Sequence, residues 1–175
     1  MKNFLYCIIF FIISGIPNYI FAESPIYILN NLENLNQNIH NYSTYYEDKN
    51  NNLSIDSIIT LYSSGKFSRH TDDVPNFGYS RSAYWYSFKI KNEINNKAIF
   101  QLECNYALLD EVVLYTYHKS NIINIQKHGR KYLSKYNKTR GDTFLFTLSI
   151  PRDTLYHYFI QVMSKDSIAI PLNLY

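Results

Sequence analysis

The chain has 175 residues, with 17 Lys and Arg against 14 Asp and Glu and a formal net charge of +3. That balance excludes a dedicated nucleic-acid surface, which carries a strongly basic excess. Aromatic residues make up 17% and include 18 tyrosines, which favours strands and supplies flat rings for ligands, although Asn, Ile, Lys and Tyr are also what AT-rich codons give.

The N-terminus carries Lys2 and then an apolar run over 4–16, too short to span a bilayer. Followed by Pro17 and by Ile20-Phe21-Ala22, it reads as a secretory signal over 1–22, an uncleaved anchor being the alternative. Cys7 lies too early in that run for a lipoprotein acceptor. Removing 1–22 deletes Lys2 alone, leaving 16 cations against 14 carboxylates. No later stretch approaches the roughly 20 apolar residues of a spanning helix. The expected mature chain, 23–175, is one domain in the periplasm or secreted, unable to signal across a membrane alone. Its about 150 residues can bury a core without staples. Cys104, the one remaining cysteine, falls in an apolar strand and is expected to be buried.

Asn-rich stretches over 30–41 and 50–52 read as loops, and strand candidates occupy 26–29 and 42–46. Ser54 is placed to cap a short helix over 55–61. The clearest period of two lies in 83–92, where Tyr86, Phe88 and Ile90 alternate with Ser87, Lys89 and Lys91. Further strands follow over 98–104, 111–117, 121–126, 143–150, 156–163 and 168–174. Tyr86, Phe88, Ile90, Val113 and Ile160 are expected to point inward. Many short strands and one short helix predict an all-β, antiparallel sandwich.

No catalytic motif is present: there is no phosphate-binding glycine loop, zinc-protease helix or Cys-x-x-Cys pair. His40, His70, His118, His128 and His157 show no metal spacing, and neither a cofactor nor a metal is expected. Asp110-Glu111 and Asp72-Asp73 read as solvated charges rather than a glycosidase pair. The basic segment 127–142, with interleaved tyrosines, suits either an anionic glycan or, more simply, a solvated loop. Arg140-Gly141-Asp142 spells an adhesion tripeptide that recurs by chance, and Asn41, Asn52 and Asn137 are glycosylation acceptors only in hosts with that machinery. Trp85, the only tryptophan, shares its strand face with Ser87 and Lys89. It is either a stacking platform for a sugar or an edge ring under a covering loop.

Four segments stand in register: 85–92 (WYSFKIKN), 109–115 (LDEVVLY) followed by Gly129, 158–164 (YFIQVMS), and 171–175 (PLNLY). From about Tyr45 to Tyr175 this order resembles the type-two extracellular domain of bacterial seven-transmembrane receptors with diverse intracellular signalling modules. The resemblance implies a jelly-roll sandwich similar to carbohydrate-binding modules, and non-catalytic ligand sensing. The chain departs from the family where Ser87 and Gln161 stand at positions often Arg, and where Arg130 replaces the acidic residue usual after the glycine. It also stops at Tyr175, where the family continues into membrane helices, so a sensor without its transmitter is expected, with a membrane receptor encoded nearby as partner. The expected ligand is a carbohydrate or similar small polar molecule, with Trp85 stacking and Ser87, Lys89, Asp110 and Gln161 hydrogen bonding. The competing readings are an interaction module without a small ligand and, third, a small glycan-acting enzyme.

Overall fold

The alternation over 83–92 becomes the hub of the molecule in the computed structural model, which describes residues 24–33, 35–70, 72, 74–132 and 143–175. The expected signal over 1–22 lies outside the described residues, as do Asp73, most of the basic segment, Asn137 and the tripeptide at 140–142. The strands are β1 (Ile26–Leu29), β2 (Gln37–Asn38), β3 (Ser43–Asp48), β4 (Asn76–Tyr79), β5 (Ala83–Asn92) and β6 (Ala98–Cys104), then β7 (Glu111–His118), β8 (Asn121–His128), β9 (Phe144–Ile150), β10 (Leu155–Met163), β11 (Ser167–Ala169) and β12 (Leu172–Leu174). Among the described residues one α-helix, α1 (Ile55–Ser63), joins β3 to the β4 region.

Two sheets face each other. The larger runs β1-β5-β10-β7-β8, with β3 sharing the β1 edge of β5, and the smaller runs β2-β12-β6-β9. Pairing is antiparallel except for β1, which lies parallel to the second half of β5. The chain crosses between sheets from β5 to β6, β6 to β7, β8 to β9 and β9 to β10, the connection pattern of a jelly roll. β4 and β11 form a separate ribbon. The single strand expected over 168–174 is split because Pro171 has no N–H to donate: β11 joins the ribbon and β12 the smaller sheet.

Between the sheets Tyr86, Phe88, Ile90 and Ile160 pack against Leu102, Phe146 and Leu148, all essentially solvent-free. Val113 does not join them. It sits opposite Gln161 and faces away from this core, while Val112 and Leu114 point in. The run Val112-Val113-Leu114 is apolar in both phases, so period alone could not fix its side. Cys104 is fully buried in this core, and burial pushes its thiol up to about 12, which leaves it a packing residue.

Polar side chains close the rim. The Asn92 amide donates to the Asn96, Ile150 and Pro151 carbonyls and accepts from the Ile94 N–H. Gln126 on β8 donates to the Thr147 carbonyl (2.9 Å) and accepts its N–H (3.1 Å), joining the edges of the two sheets.

The outer face of the larger sheet is also covered. Ser54 accepts from the Ser57 N–H as the expected cap of α1, and Ile55, Ile58, Ile59 and Tyr62 make the apolar stripe of that helix. The helix ends where Gly65 takes φ +70°, with the Lys66 and Gly65 N–H groups bonded back to the Leu61 and Tyr62 carbonyls. Its stripe and Phe67 pack on Ala83, Trp85 and Phe159 as a second core.

Candidate functional site

The five candidate residues divide between two places. Trp85, Ser87, Lys89 and Gln161 share the outer face of the larger sheet, since β10 pairs Gln161 with Trp85 and His157 with Lys89. Asp110 stands apart, just before β7.

On the outer face the strand alternation places Trp85, Ser87 and Lys89 together, and burial decides between the two readings of Trp85. Trp85 is 1% exposed, stacked on Tyr115 with ring centroids 5.8 Å apart, and covered by α1. The ring offers no open face, so the stacking platform is corrected to a core residue. Ser87 is also fully buried, its hydroxyl 2.6 Å from Nε2 of His157. His157 meets the Tyr62 edge, and burial, helped by the Lys89 charge, holds its imidazole down at about 3. Lys89 Nζ lies 5.5 Å from the Tyr62 ring centre, and its side chain lines a recess of about 490 Å³ with Tyr117, His118, Lys119, Asp153 and His157. Gln161 is half-buried, its amide 4.0 Å from the Met163 sulfur.

Asp110 belongs to a larger cleft, about 930 Å³, at the end of the sheet where β5 and β7 begin and β3, β8 and β10 finish. Its lining includes Arg81, Ser82, Asp110, Glu111, Arg130, Lys131, Met163 and Lys165. Gly129 directly precedes the lining residues Arg130 and Lys131. At φ +116° it brings the chain so close that a Cβ there would meet the Asp110 carbonyl oxygen at 2.5 Å. The next two residues bond back, Arg130 N–H to the Leu109 carbonyl and Lys131 N–H to that of Asp110.

Opposite charges meet as a result. Arg130 bridges Asp110 (2.8 Å) and Asp166 (2.7 Å), and Lys131 pairs with Glu111 at 2.7 Å. Asp110 also accepts the Lys165 backbone N–H at 2.7 Å, and the Tyr132 hydroxyl donates to Glu111. Partial desolvation pushes the Asp110 carboxyl up, but the Lys165 N–H and the Arg130 guanidinium outweigh it and hold the group below the usual carboxylate range. Glu111 follows the same pattern, with Lys131 and Tyr132 overcoming its desolvation. The departure at Arg130 thus places a cation against Asp110 instead of a second carboxylate. Of the other charged lining residues, Arg130 and Lys131 fall in the basic segment weighed for an anionic glycan and Glu111 was read as a solvated charge, whereas Arg81 and Lys165 were not singled out. The legible signal was Gly129, a glycine immediately followed by two cations.

Among the described residues no cluster of three His, Cys, Asp or Glu side chains is placed to hold a metal ion, and no helix is long and apolar enough to cross a membrane. The sequence of residues 40–175 matches the family described as 7TMR-DISM extracellular 2. No curated protein matches the chain. With most of its length covered, the chain belongs to the 7TMR-DISM extracellular 2 family.

Proposed function

We propose that this member of the 7TMR-DISM extracellular 2 family is a non-catalytic extracytoplasmic sensing domain that binds a small polar ligand, a carbohydrate or a relative, in the cleft beside Asp110. The single observation that carries the site is that cleft. Five chain segments meet at one end of a rigid sandwich, and their polar groups are held by ion pairs and backbone bonds rather than left to roam. Of the expected residues, Asp110 lines the cleft and Gln161 stands two residues before Met163 in its wall. Lys89 lines the separate recess, and Ser87 supports it through His157. Export through the signal over 1–22, cleaved near Glu23, delivers the domain to the periplasm, and its output passes through a membrane receptor partner.

The test is a thermal-shift screen of the exported domain against sugars, sugar acids, sugar phosphates and amino acids. A ligand at about 100 times its Kd stabilises by about 2.7 kcal/mol. A hit that raises the melting temperature of the natural protein and not of Asp110→Asn places the ligand in the cleft. Failure of the whole screen defeats the sensing reading. It would then favour an interaction module, for which the half-exposed Ile123 and Ile125 on the edge strand β8 offer a surface.

A further inference from the structure

We infer that the ligand of this cleft is anionic, a small hydroxylated molecule carrying a carboxylate or phosphate group; the inference rests on reading the cleft as the sensing site. The lining side chains hold four cations, Arg81, Arg130, Lys131 and Lys165, against two carboxylates, Asp110 and Glu111. More decisive is which of them are already used. Asp110 accepts from Arg130 Nε (3.0 Å), Arg130 Nη2 (2.8 Å) and the Lys165 N–H (2.7 Å). Glu111 accepts from Lys131 and Tyr132. Glu47, outside the lining, takes the Ser82 hydroxyl at 2.7 Å.

A neutral sugar presents hydroxyl donors and is commonly fixed by carboxylates that accept from them. Here the acceptors are largely occupied within the protein. The donors are not, since among the described residues Arg81 and Lys165 have no ion-pair partner and both side chains are exposed at the mouth. A ligand that completes this site brings acceptors and negative charge. An Arg guanidinium matches a planar carboxylate or a phosphate with two parallel bonds, and the Lys165 ammonium adds a point charge. The surplus of positive charge in a concave site also raises the local concentration of anions.

The experiment uses the exported domain and four probes at equal concentration: glucose, glucuronate, glucose 6-phosphate and inorganic phosphate. The melting temperature is followed in the natural protein and in Arg81→Gln/Lys165→Gln, with circular dichroism confirming that the variant is folded. Glucuronate or glucose 6-phosphate is expected to raise the melting temperature where glucose does not. The double variant should weaken that binding by at least about tenfold, or about 1.4 kcal/mol. Which of the two probes acts distinguishes a carboxylate from a phosphate. Stabilisation by glucose that the double variant retains but Asp110→Asn loses overturns the anionic class and leaves the cleft as the sensing site. Equal stabilisation by inorganic phosphate in both proteins means unspecific anion binding and overturns the inference, and silence of every probe overturns it together with the reading of the cleft.

Discussion

Trp85 carries two opposite meanings at the residue scale, and burial decides between them. At 1% exposure the ring is packing material for the second core. Trp85→Ala is therefore expected to cost about 3–5 kcal/mol in chemical denaturation, as for other buried aromatics truncated to Ala. Its fluorescence should be blue-shifted and resist acrylamide; a red-shifted, quenched spectrum contradicts the fold drawn here. His157 gives a second residue-scale test. Its imidazole is held down at about 3, first by burial and then by Lys89, against about 6.5 in an unfolded chain. The unfolded state binds the extra proton, so this group's contribution is complete above about pH 6.5 and is lost as pH falls toward about 3. His157→Asn keeps a partner for the Ser87 hydroxyl and removes the titration. Its stability should vary less with pH across that window than that of the natural protein, and identical slopes would refute the assignment.

At the scale of elements, the connection after β8 depends on Gly129. A Cβ there meets the Asp110 backbone at 2.5–2.8 Å, and the backbone angle is one that L side chains rarely adopt. Gly129→Ala should destabilise by about 1–3 kcal/mol and, by moving Arg130 off Asp110, weaken any ligand bound in the cleft. Alternatively, an unaltered melting curve would show that the two backbones are not in contact. The edges of β8 and β9 are joined by the Gln126 amide, which satisfies both the N–H and the carbonyl of Thr147. Gln126→Ala is expected to cost about 0.5–1.5 kcal/mol for each bond lost. Hydrogen exchange should then quicken at Thr147 before it does in β5.

For the whole molecule, the two cores and the charged end respond to different conditions. The sandwich core is built mainly of apolar side chains. The end network depends on Asp110 and Glu111, both held below the usual carboxylate range despite partial desolvation. A depressed carboxyl contributes stability above its unfolded value, about 3.9 for Asp and 4.3 for Glu, and loses it as pH falls through the folded value. Acid unfolding below about pH 4 should therefore be less steep in Asp110→Asn than with Asp110 intact, both measured in the His157→Asn background so that the His157 titration is absent. Raised salt should weaken the same network, because its ion pairs are partly exposed. An acid limb unchanged by the substitution would mean that the pairs contribute nothing to folding.

The sequence determined what depends on local pattern. Alternation over 83–92 and the apolar composition of 98–104 placed two strands with their observed bounds, and the Ser54 cap started the helix correctly. Period two also placed Tyr86, Phe88, Ile90 and Ile160 in the main core, and the four segments in register announced the family. Tertiary structure decided everything that requires knowing what lies opposite. A polar-aromatic strand face looks the same whether water or a helix covers it, so Trp85 stood between a stacking platform and a covered ring until α1 was seen across it. Val113 lay in a run apolar in both phases, where only the pairing with Gln161 fixes the side. The cleft is less local still. Arg81, Asp110, Arg130 and Lys165 come from separate stretches of chain, and only strand order brings them to one end of the sheet, where their charges meet at hydrogen-bond distance or face the mouth together.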